Sequence, residues 1–373
     1  MSVFAAQAAE SDLVKHPVEG PNAAVLTVDR WPSGGVFPLA SVPHGIVGVI
    51  GLHNGKPVVF DWTILTNGIR LETRDRRAKV KPEEIILDRA ESSGQIPGGR
   101  IAFVPKDAKL AGERLKLDTG ANADVITGWT TKADAATWEY KPSRWGKYDL
   151  EIAYSADGRD PVEFNLIVAG QVFPLSLHSA GKSTRNHTAS AGRFYLAKSD
   201  PYSVRLEMVG DAGKTKVQIN SIILRPAPEG EIPVQAPNGE IVLLSSLATT
   251  HSVMMRYEPA TNKNCLGYWV DPADWADWTF PVAKSGVYEV EVWQGCGKGN
   301  GGSDVLVEVA GQKFAFVVQD TGHFQAFVPR KLGRIHLVDG LEYTLAIHPQ
   351  RKQGAAVMDV RQVKLLPVSA EAK

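Results

Sequence analysis

Aromatic side chains in two short segments are the residues of this 373-residue chain that best fit a recognisable binding chemistry. The first segment, LGYWVDPADWADW (266–278), carries three tryptophans and a tyrosine, and the second is HFQ (323–325). Aromatic faces stack on the apolar C–H faces of sugar rings, while nearby polar groups bond the hydroxyls. The candidate carbohydrate-binding residues are therefore Tyr268, Trp269, Trp275, His323, Phe324 and Gln325.

A glycine-rich segment, QGCGKGNGGSD (294–304), contains the G-x-G-x-x-G spacing of dinucleotide-binding loops at Gly297, Gly299 and Gly302. That fingerprint needs a helix after the glycines, whose N-terminus faces the pyrophosphate. Here DVLVEVAGQKF follows, and its alternation of apolar and polar residues predicts a strand. The segment is thus predicted to be a hairpin connection whose glycines supply positive φ, and to shape the rim of a nearby binding site.

Signatures of catalysis and of metal binding are missing from the sequence. There is no H-E-x-x-H, no G-x-S-x-G and no Cys/His cluster of zinc-site spacing. DPADWAD (271–277) spaces three carboxylates, but it does not follow the pattern of an EF-hand loop. We predict no catalytic residues, no metal ligands and no cofactor, and a structural calcium ion has no support in the sequence.

The composition excludes two classes of partner. Lys plus Arg and Asp plus Glu both number 41, so the balanced charge gives no footprint for nucleic acid. No apolar run reaches the roughly 18 residues that a membrane span needs.

The first residues, MSVFAAQAAESDLVKHP, lack the basic region and long apolar core of a signal peptide. The two cysteines, Cys265 and Cys296, are expected to be unpaired buried thiols rather than a disulfide.

An internal repeat with a spacing of 140 to 141 residues sets the predicted architecture. ITGWTTKADAATWEY and WGKYDLEI in copy one match LGYWVDPADWADWTF and SGVYEVEV in copy two. Further matches join VAGQVF (168–173) to VAGQKF (309–314) and LRP (224–226) to LLP (365–367). The repeat predicts two copies of one domain. It also offers core packing as the alternative role of Trp269, because its counterpart Trp129 recurs at the same place.

Short runs with period-2 alternation fill both copies and the segment before them, and no long amphipathic helix is visible. We predict an all-β fold, in which two tandem jelly-roll β-sandwiches are preceded by a small β-domain. The expected divisions are an N-terminal tail (1–21), the small β-domain (22–91), copy one (96–227) and copy two (236–368). The Pro- and Gly-rich stretch 226–239 is the expected linker between the copies.

Copy two resembles the β-sandwich module appended to bacterial (planctomycete-type) sulfatases and α-L-fucosidases. It is similar to the galactose-binding-like superfamily, which includes carbohydrate-binding modules of families 6 and 35. The motif positions are Ala273-Asp274-Trp275, Gly286-Val287-Tyr288, Thr321-Gly322-His323-Phe324 and Asp359-Val360. The chain departs from that pattern at Val357, where an Asn is common, and at Ser245-Ser246, where an acidic pair often holds calcium. Copy one lacks the terminal Asp, having Gln218 there, so we expect it to be structural.

The resemblance implies non-catalytic binding of a glycan or polysaccharide, as an accessory region of a polysaccharide-degrading system outside the cell or in the periplasm. A catalytic domain or partner chain would then accompany it. Residues 22–91 weakly resemble the C-terminal β-domain of α-L-fucosidases, through GVIGLHNGKPVVFDW and GIRLET. Two alternatives therefore stay open: a portion of a glycoside hydrolase or sulfatase, and a structural assembly module.

Overall fold

The computed structural model describes residues 14–20, 23–28, 31–32, 35–38, 45–53, 56–65, 68–73, 82–120, 123–179, 185–197 and 200–368. Within these ranges the chain is all-β, as predicted, with short 3₁₀ turns at Pro97–Gly99, Pro105–Asp107 and Ser245–Leu247. None of the helices in the described part of the chain is long and apolar enough to cross a membrane.

The small β-domain is one seven-stranded sheet in the order β1-β2-β7-β4-β5-β6-β3. Its strands are β1 (Val14–Gly20), β2 (Ala23–Val28), β3 (Val36–Pro38), β4 (Ile46–His53), β5 (Lys56–Leu65), β6 (Gly68–Thr73) and β7 (Glu84–Arg89). β1 pairs with β2, so this sheet begins inside the segment predicted to be a tail, because pairing along β2 orders a run whose local pattern is weak. The segment HNGK (53–56) predicts an Asn-Gly hairpin turn, and residues 54–55 of that turn lie outside the described residues.

Copy one is a sandwich of two sheets. Its strands are β8 (Gly94–Gln95), β9 (Ile101–Phe103), β10 (Lys109–Ala111), β11 (Lys116–Thr119), β12 (Asp124–Thr127), β13 (Ala135–Tyr140), β14 (Gly146–Asp157), β15 (Val162–Val168), β16 (Gln171–Leu177), β17 (His187–Leu196), β18 (Tyr202–Met208) and β19 (Lys216–Ala227). Sheet I has the order β11-β12-β19-β14-β17, with β9 pairing β19 and β8 pairing β9. Sheet II has the order β10-β13-β18-β15-β16.

Copy two repeats this arrangement. Its strands are β20 (Ile241–Leu244), β21 (Thr249–His251), β22 (Arg256–Glu258), β23 (Cys265–Gly267), β24 (Trp275–Pro281), β25 (Gly286–Cys296), β26 (Asp304–Val309), β27 (Gln312–Val317), β28 (His323–Leu337), β29 (Glu342–Arg351) and β30 (Asp359–Pro367). Sheet I is β22-β23-β30-β25-β28, with β20 on β30, and sheet II is β21-β24-β29-β26-β27. The order of corresponding strands is the same as in copy one.

Each sandwich encloses its own hydrophobic core between sheets I and II. The tryptophans that recur in both copies belong to these cores. The Nε1 of Trp138 donates to the carbonyl of Val104, and the Nε1 of Trp278 donates to that of Leu244, both at 2.8 Å. Such equal contacts explain why tryptophan recurs: each indole fills the core and has its one N–H satisfied.

The small β-domain packs on the outer face of sheet I of copy one. Ala153, on β14, joins the core of the small domain, and Ile223, on β19, joins a second apolar cluster with Val47. Charged groups close the rest of the contact. Asp88, which is fully buried, pairs with Arg100 at 2.9 Å and with Arg225 at 3.1 Å.

The two copies also contact each other directly. The Nη1 of Arg144 donates to the hydroxyl of Thr250 at 2.6 Å and to the carbonyl of Met255. The guanidinium of Arg256 lies 3.8 Å from the centroid of the Trp145 ring and 3.5 Å from that of the Tyr268 ring. This inter-copy stack combines one ring from each copy with a nearly buried cation.

Candidate functional site

The outer face of sheet I of copy two carries the candidate site. On β25, Val290 and Val292 point into the core, so Glu291 and Trp293 project from the opposite side. Trp293 lies opposite Gln362 on β30 and Pro329 on β28. We call this surface the open face, consisting of Glu291, Trp293, Gln325, Phe327, Asp359, Gln362 and Lys364.

Trp293 occupies the middle of the open face and is half-buried. Its Nε1 donates to Oε1 of Glu291 at 2.7 Å, and the ammonium of Lys364 lies 5.8 Å from its ring centroid. The hydrogen bond fixes the plane of the indole on the sheet. The ring is therefore a pre-positioned apolar surface with charged groups beside it, an arrangement suited to a hydroxylated ring.

A polar cluster forms one end of the open face. The Nε2 of Gln325 donates to Oδ2 of Asp359 at 3.0 Å, and the thiol of Cys265 donates to the same oxygen at 3.5 Å. Burial raises the pKa of Asp359 to about 7, and Glu258 adds to the rise, while the two hydrogen bonds act against it. Gln325 and Asp359 are thus held as a donor and acceptor pair beside the aromatic surface.

The same cluster contains three groups of the types that ligate metals. Each of Glu258, Cys265 and Asp359 offers one potential ligand atom, and these three atoms all lie within 4.8 Å of one another. Burial and the neighbouring Asp359 raise the pKa of the Cys265 thiol, which disfavours the thiolate that a metal ion would bind. Lys263 already pairs with Glu258 at 2.9 Å. These contacts fit a hydrogen-bonded cluster better than a metal centre.

The glycine-rich connection adjoins this end, between strands β25 and β26 as the alternation predicts. A Cβ on Gly295 would lie 2.0 Å from the carbonyl oxygen of Phe324, and one on Gly297 would lie 2.5 Å from the Phe324 ring. The loop can pack on Phe324 only because these positions lack side chains. The role of the loop at the rim of a binding site stays a prediction, and the loop contacts Phe324, one of the candidate residues.

Three of the sequence-predicted residues lie together at this end. His323 is exposed, and its Nδ1 accepts from the backbone N–H of Gln325 at 3.1 Å. Phe324 is half-buried under the glycine loop. Tyr268 lies farther along the edge, beyond Glu258 and Lys263, with an exposed fraction of 44% and one ring face against Arg256.

Trp269 and Trp275 lie elsewhere, and the expectation that their rings stack on sugar needs correction. Trp269 is fully buried in the core, where its Nε1 donates to the carbonyl of Asp274 at 3.1 Å. Trp275 projects from sheet II, on the opposite side of the sandwich. Its indole is stacked between His251, at a centroid distance of 3.6 Å, and His348, at 4.8 Å. Both faces of the Trp275 ring are therefore already covered.

Of the seven residues of the open face, the sequence analysis proposed only Gln325 as a binding residue, and Trp293 and Asp359 are the main omissions. Trp293 lies in phase with Glu289 and Glu291, on the face opposite Val290 and Val292, and has Ala153 as its counterpart, so it is an aromatic residue peculiar to copy two. Trp275 meets the same criterion, because its counterpart in copy one is Ala135, and applying it to the whole of copy two identifies Trp293 as well. Asp359 was noted only as a motif position, because its contact with Gln325 depends on the pairing of β25 with both β28 and β30.

Both cysteines are unpaired and buried, as expected. Burial, together with Asp320 and Asp359, raises the pKa of Cys296 to about 11. Neither thiol therefore has the character of a nucleophile at neutral pH.

Comparisons with known proteins give structural likenesses only. No protein-family model matches the chain, and no curated protein matches it. Over 34% of its length it is similar to a family 35 carbohydrate-binding module from Clostridium thermocellum, with 96% of that module covered, 14% identity and a TM-score of 0.29.

Two larger proteins are also similar to it. A Podospora anserina GH26-CBM35 β-(1,4)-mannanase aligns over 38% of this chain and 32% of its own, with 22% identity and a TM-score of 0.28. A Paenibacillus xanthan lyase aligns over 99% of this chain and 40% of its own, with 13% identity and a TM-score of 0.33. The chain thus spans less than half the length of either enzyme. With TM-scores below 0.5, none of these likenesses assigns a ligand to it.

Proposed function

We propose that copy two binds a glycan on its open face, without catalysis, as an accessory region of a polysaccharide-degrading system outside the cell or in the periplasm. The observation that carries the proposal is Trp293, a half-buried indole fixed on an uncovered sheet face. A sugar ring stacked on it would exchange its hydration for contact with an apolar surface.

The polar groups around Trp293 supply the second half of the interaction. Gln362 lies directly across from Trp293, and Gln325 and Asp359 lie toward the end of β25. Amide groups both donate to and accept from sugar hydroxyls, and carboxylate groups accept from them. Because these groups belong to adjacent strands rather than to one loop, the surface is pre-organised, and little ordering free energy opposes binding.

The shape of the surface favours a chain over a single sugar. The open face runs along three paired strands, β28, β25 and β30, from the Gln325–Asp359 end to the Glu291 and Lys364 end. A flat surface of this kind contacts several consecutive residues of a polysaccharide weakly and adds their contributions.

Affinity electrophoresis in gels that contain soluble polysaccharides tests the proposal. Trp293→Ala is expected to lose most of its retardation, whereas Trp275→Ala, which changes a tryptophan on the opposite sheet, is expected to keep it. Full retardation of Trp293→Ala, or a loss confined to Trp275→Ala, would contradict the proposal. Circular dichroism of both variants establishes that each remains folded.

A further inference from the structure

A cavity of about 170 Å³ lies at the seam between the small β-domain and copy one. The start of β4 and the residues after β7 form one wall, and the turn at Val104–Lys106 and the start of β12 form the other. β19 contributes Asn220 between them. The walls come from paired strands of two domains, so the cavity is part of the assembled fold.

Asn220 is the unusual group in this cavity. Its exposed fraction is 3%, and among the described residues its Oδ1 has no hydrogen-bond partner. A buried amide oxygen without a donor is unfavourable, and native proteins almost always satisfy such groups with protein, water or ligand. The oxygen is therefore available to accept a hydrogen bond from a ligand in the cavity.

Copy two shows what the cavity would look like if it were filled by protein. Asn220 and Arg361 are corresponding bulge residues, each skipped in the pairing of its strand with β14 or β25. The Arg361 guanidinium donates to the carbonyl of Lys263 at 2.8 Å and lies 4.3 Å from the Phe327 ring centroid. The shorter Asn220 leaves that space empty in copy one.

We propose that the seam cavity binds a small hydroxylated molecule the size of one sugar ring, whose hydroxyl donates to Oδ1 of Asn220. The volume is well below the roughly 300 Å³ of a drug-sized pocket. It also far exceeds the roughly 15 Å³ that one water molecule needs. Val47, Val104 and Pro105 give the cavity apolar walls, while Glu91 and Asp124 add acceptors. That mixture suits the apolar faces and polar edges of a sugar.

This site is separate from the open face and does not depend on the proposed function. Saturation-transfer NMR of the full chain with individual neutral monosaccharides and with glycerol tests it. The Trp293→Ala variant serves as background, so that the open face does not contribute. We expect saturation transfer to at least one of the monosaccharides, and its loss when Asn220→Arg is added to fill the cavity as Arg361 does in copy two.

Two results would overturn the inference. One is the absence of transfer to every compound tested, which would mean that the cavity holds only water. The other is equal transfer with and without Asn220→Arg. Thermal unfolding and circular dichroism of the Asn220→Arg variant, compared with the parent protein, separate a filled cavity from a failure to fold.

Discussion

Copies one and two present the same face of the same fold to different surroundings. In copy one, Ala153 and Ile223 make the outer face of sheet I apolar and small, and the small β-domain covers it. In copy two, Trp293 and Lys364 stand at the corresponding positions, and both keep part of their surface exposed. A face that packs against another domain and a face that keeps a half-buried indole thus differ by a few residues on two strands.

The difference teaches that the fold positions a surface but does not decide its use. Both faces keep an acidic residue at the same place, Glu151 in copy one and Glu291 in copy two. Glu151 accepts from Arg225 at 2.6 Å within a buried ion-pair network, whereas Glu291 accepts from the indole of Trp293. Equivalent carboxylates therefore stabilise a domain contact in copy one and orient a half-buried indole in copy two.

Removal of Asp88 is expected to have the largest effect on stability. Asp88→Ala leaves Arg225 and Arg100 buried without their shared partner, and loss of one member of a buried pair costs about 3–5 kcal/mol. Lys364→Ala on the open face removes a partly exposed pair with Glu240 and should cost about 1 kcal/mol or less. Urea denaturation compares the two variants. Equal losses would mean that the two faces are not differently buried.

An exchange of the central residues makes the comparison sharper. Ala153→Trp places an indole in the packed seam with the small domain, and overpacking of this kind costs about 1–3 kcal/mol. The mirror change, Trp293→Ala, removes only a half-buried ring and should cost less. Thermal unfolding measures both. A well-tolerated Ala153→Trp would show that the small domain is not held against copy one as described.

The pKa of Asp359 predicts a pH dependence that is confined to copy two, because the corresponding residue of copy one is Gln218. The folded pKa of about 7 exceeds the ordinary value of 3.8, so the folded state favours the protonated acid. Stability from this group is fully present below the ordinary value and is lost as the pH rises toward 7.

Asp359→Asn should therefore leave stability unchanged at acidic pH and raise it above pH 7. We expect a gain of about 1–2 kcal/mol, since one pKa unit corresponds to about 1.4 kcal/mol and the bonds from Gln325 and Cys265 weaken in the amide. Urea denaturation at acidic and at mildly alkaline pH measures it. A gain that is equal at both pH values would contradict the raised pKa.

The smallest expected effect is that of Gly297→Ala. The new Cβ would meet the end of the Phe324 ring at 2.5 Å, and a side chain can turn away, so stability should fall by about 1 kcal/mol or less. If the loop shapes the rim of the open face, retardation by polysaccharide falls while the fold is retained. Gly210→Ala, at a turn of copy one with no atom near its Cβ position and no left-handed φ, is the matched change away from the open face. An equal effect of both variants on retardation would show that the loop does not shape the rim of the open face.

Period-2 alternation was enough to predict the all-β class and most strands, because most strands bury one face and their apolar residues alternate with polar ones. VYEVEVWQ, for example, became most of β25. The recurrence of Trp129 and Trp269 likewise pointed to the core, where both are buried.

The placement of side chains that depend on distant strands could not be predicted in this way. Trp275 seemed free because its counterpart is alanine, yet His251 and His348 reach it from two neighbouring strands of sheet II. The packing of the small β-domain on sheet I of copy one could not be predicted either, since it depends on how the two domains dock. Sequence periodicity reports which side of a strand is buried, but not by what.

Carbene footprinting with and without a retarding polysaccharide tests the central claim most directly, because it labels every accessible side chain in one experiment. We predict that the polysaccharide protects Trp293 and its neighbours Phe327 and Gln325, while labelling of Trp275 and of copy one stays unchanged. Protection centred on Trp275 and His348, or no protection anywhere on sheet I of copy two, would contradict the assignment of the open face as a glycan-binding surface.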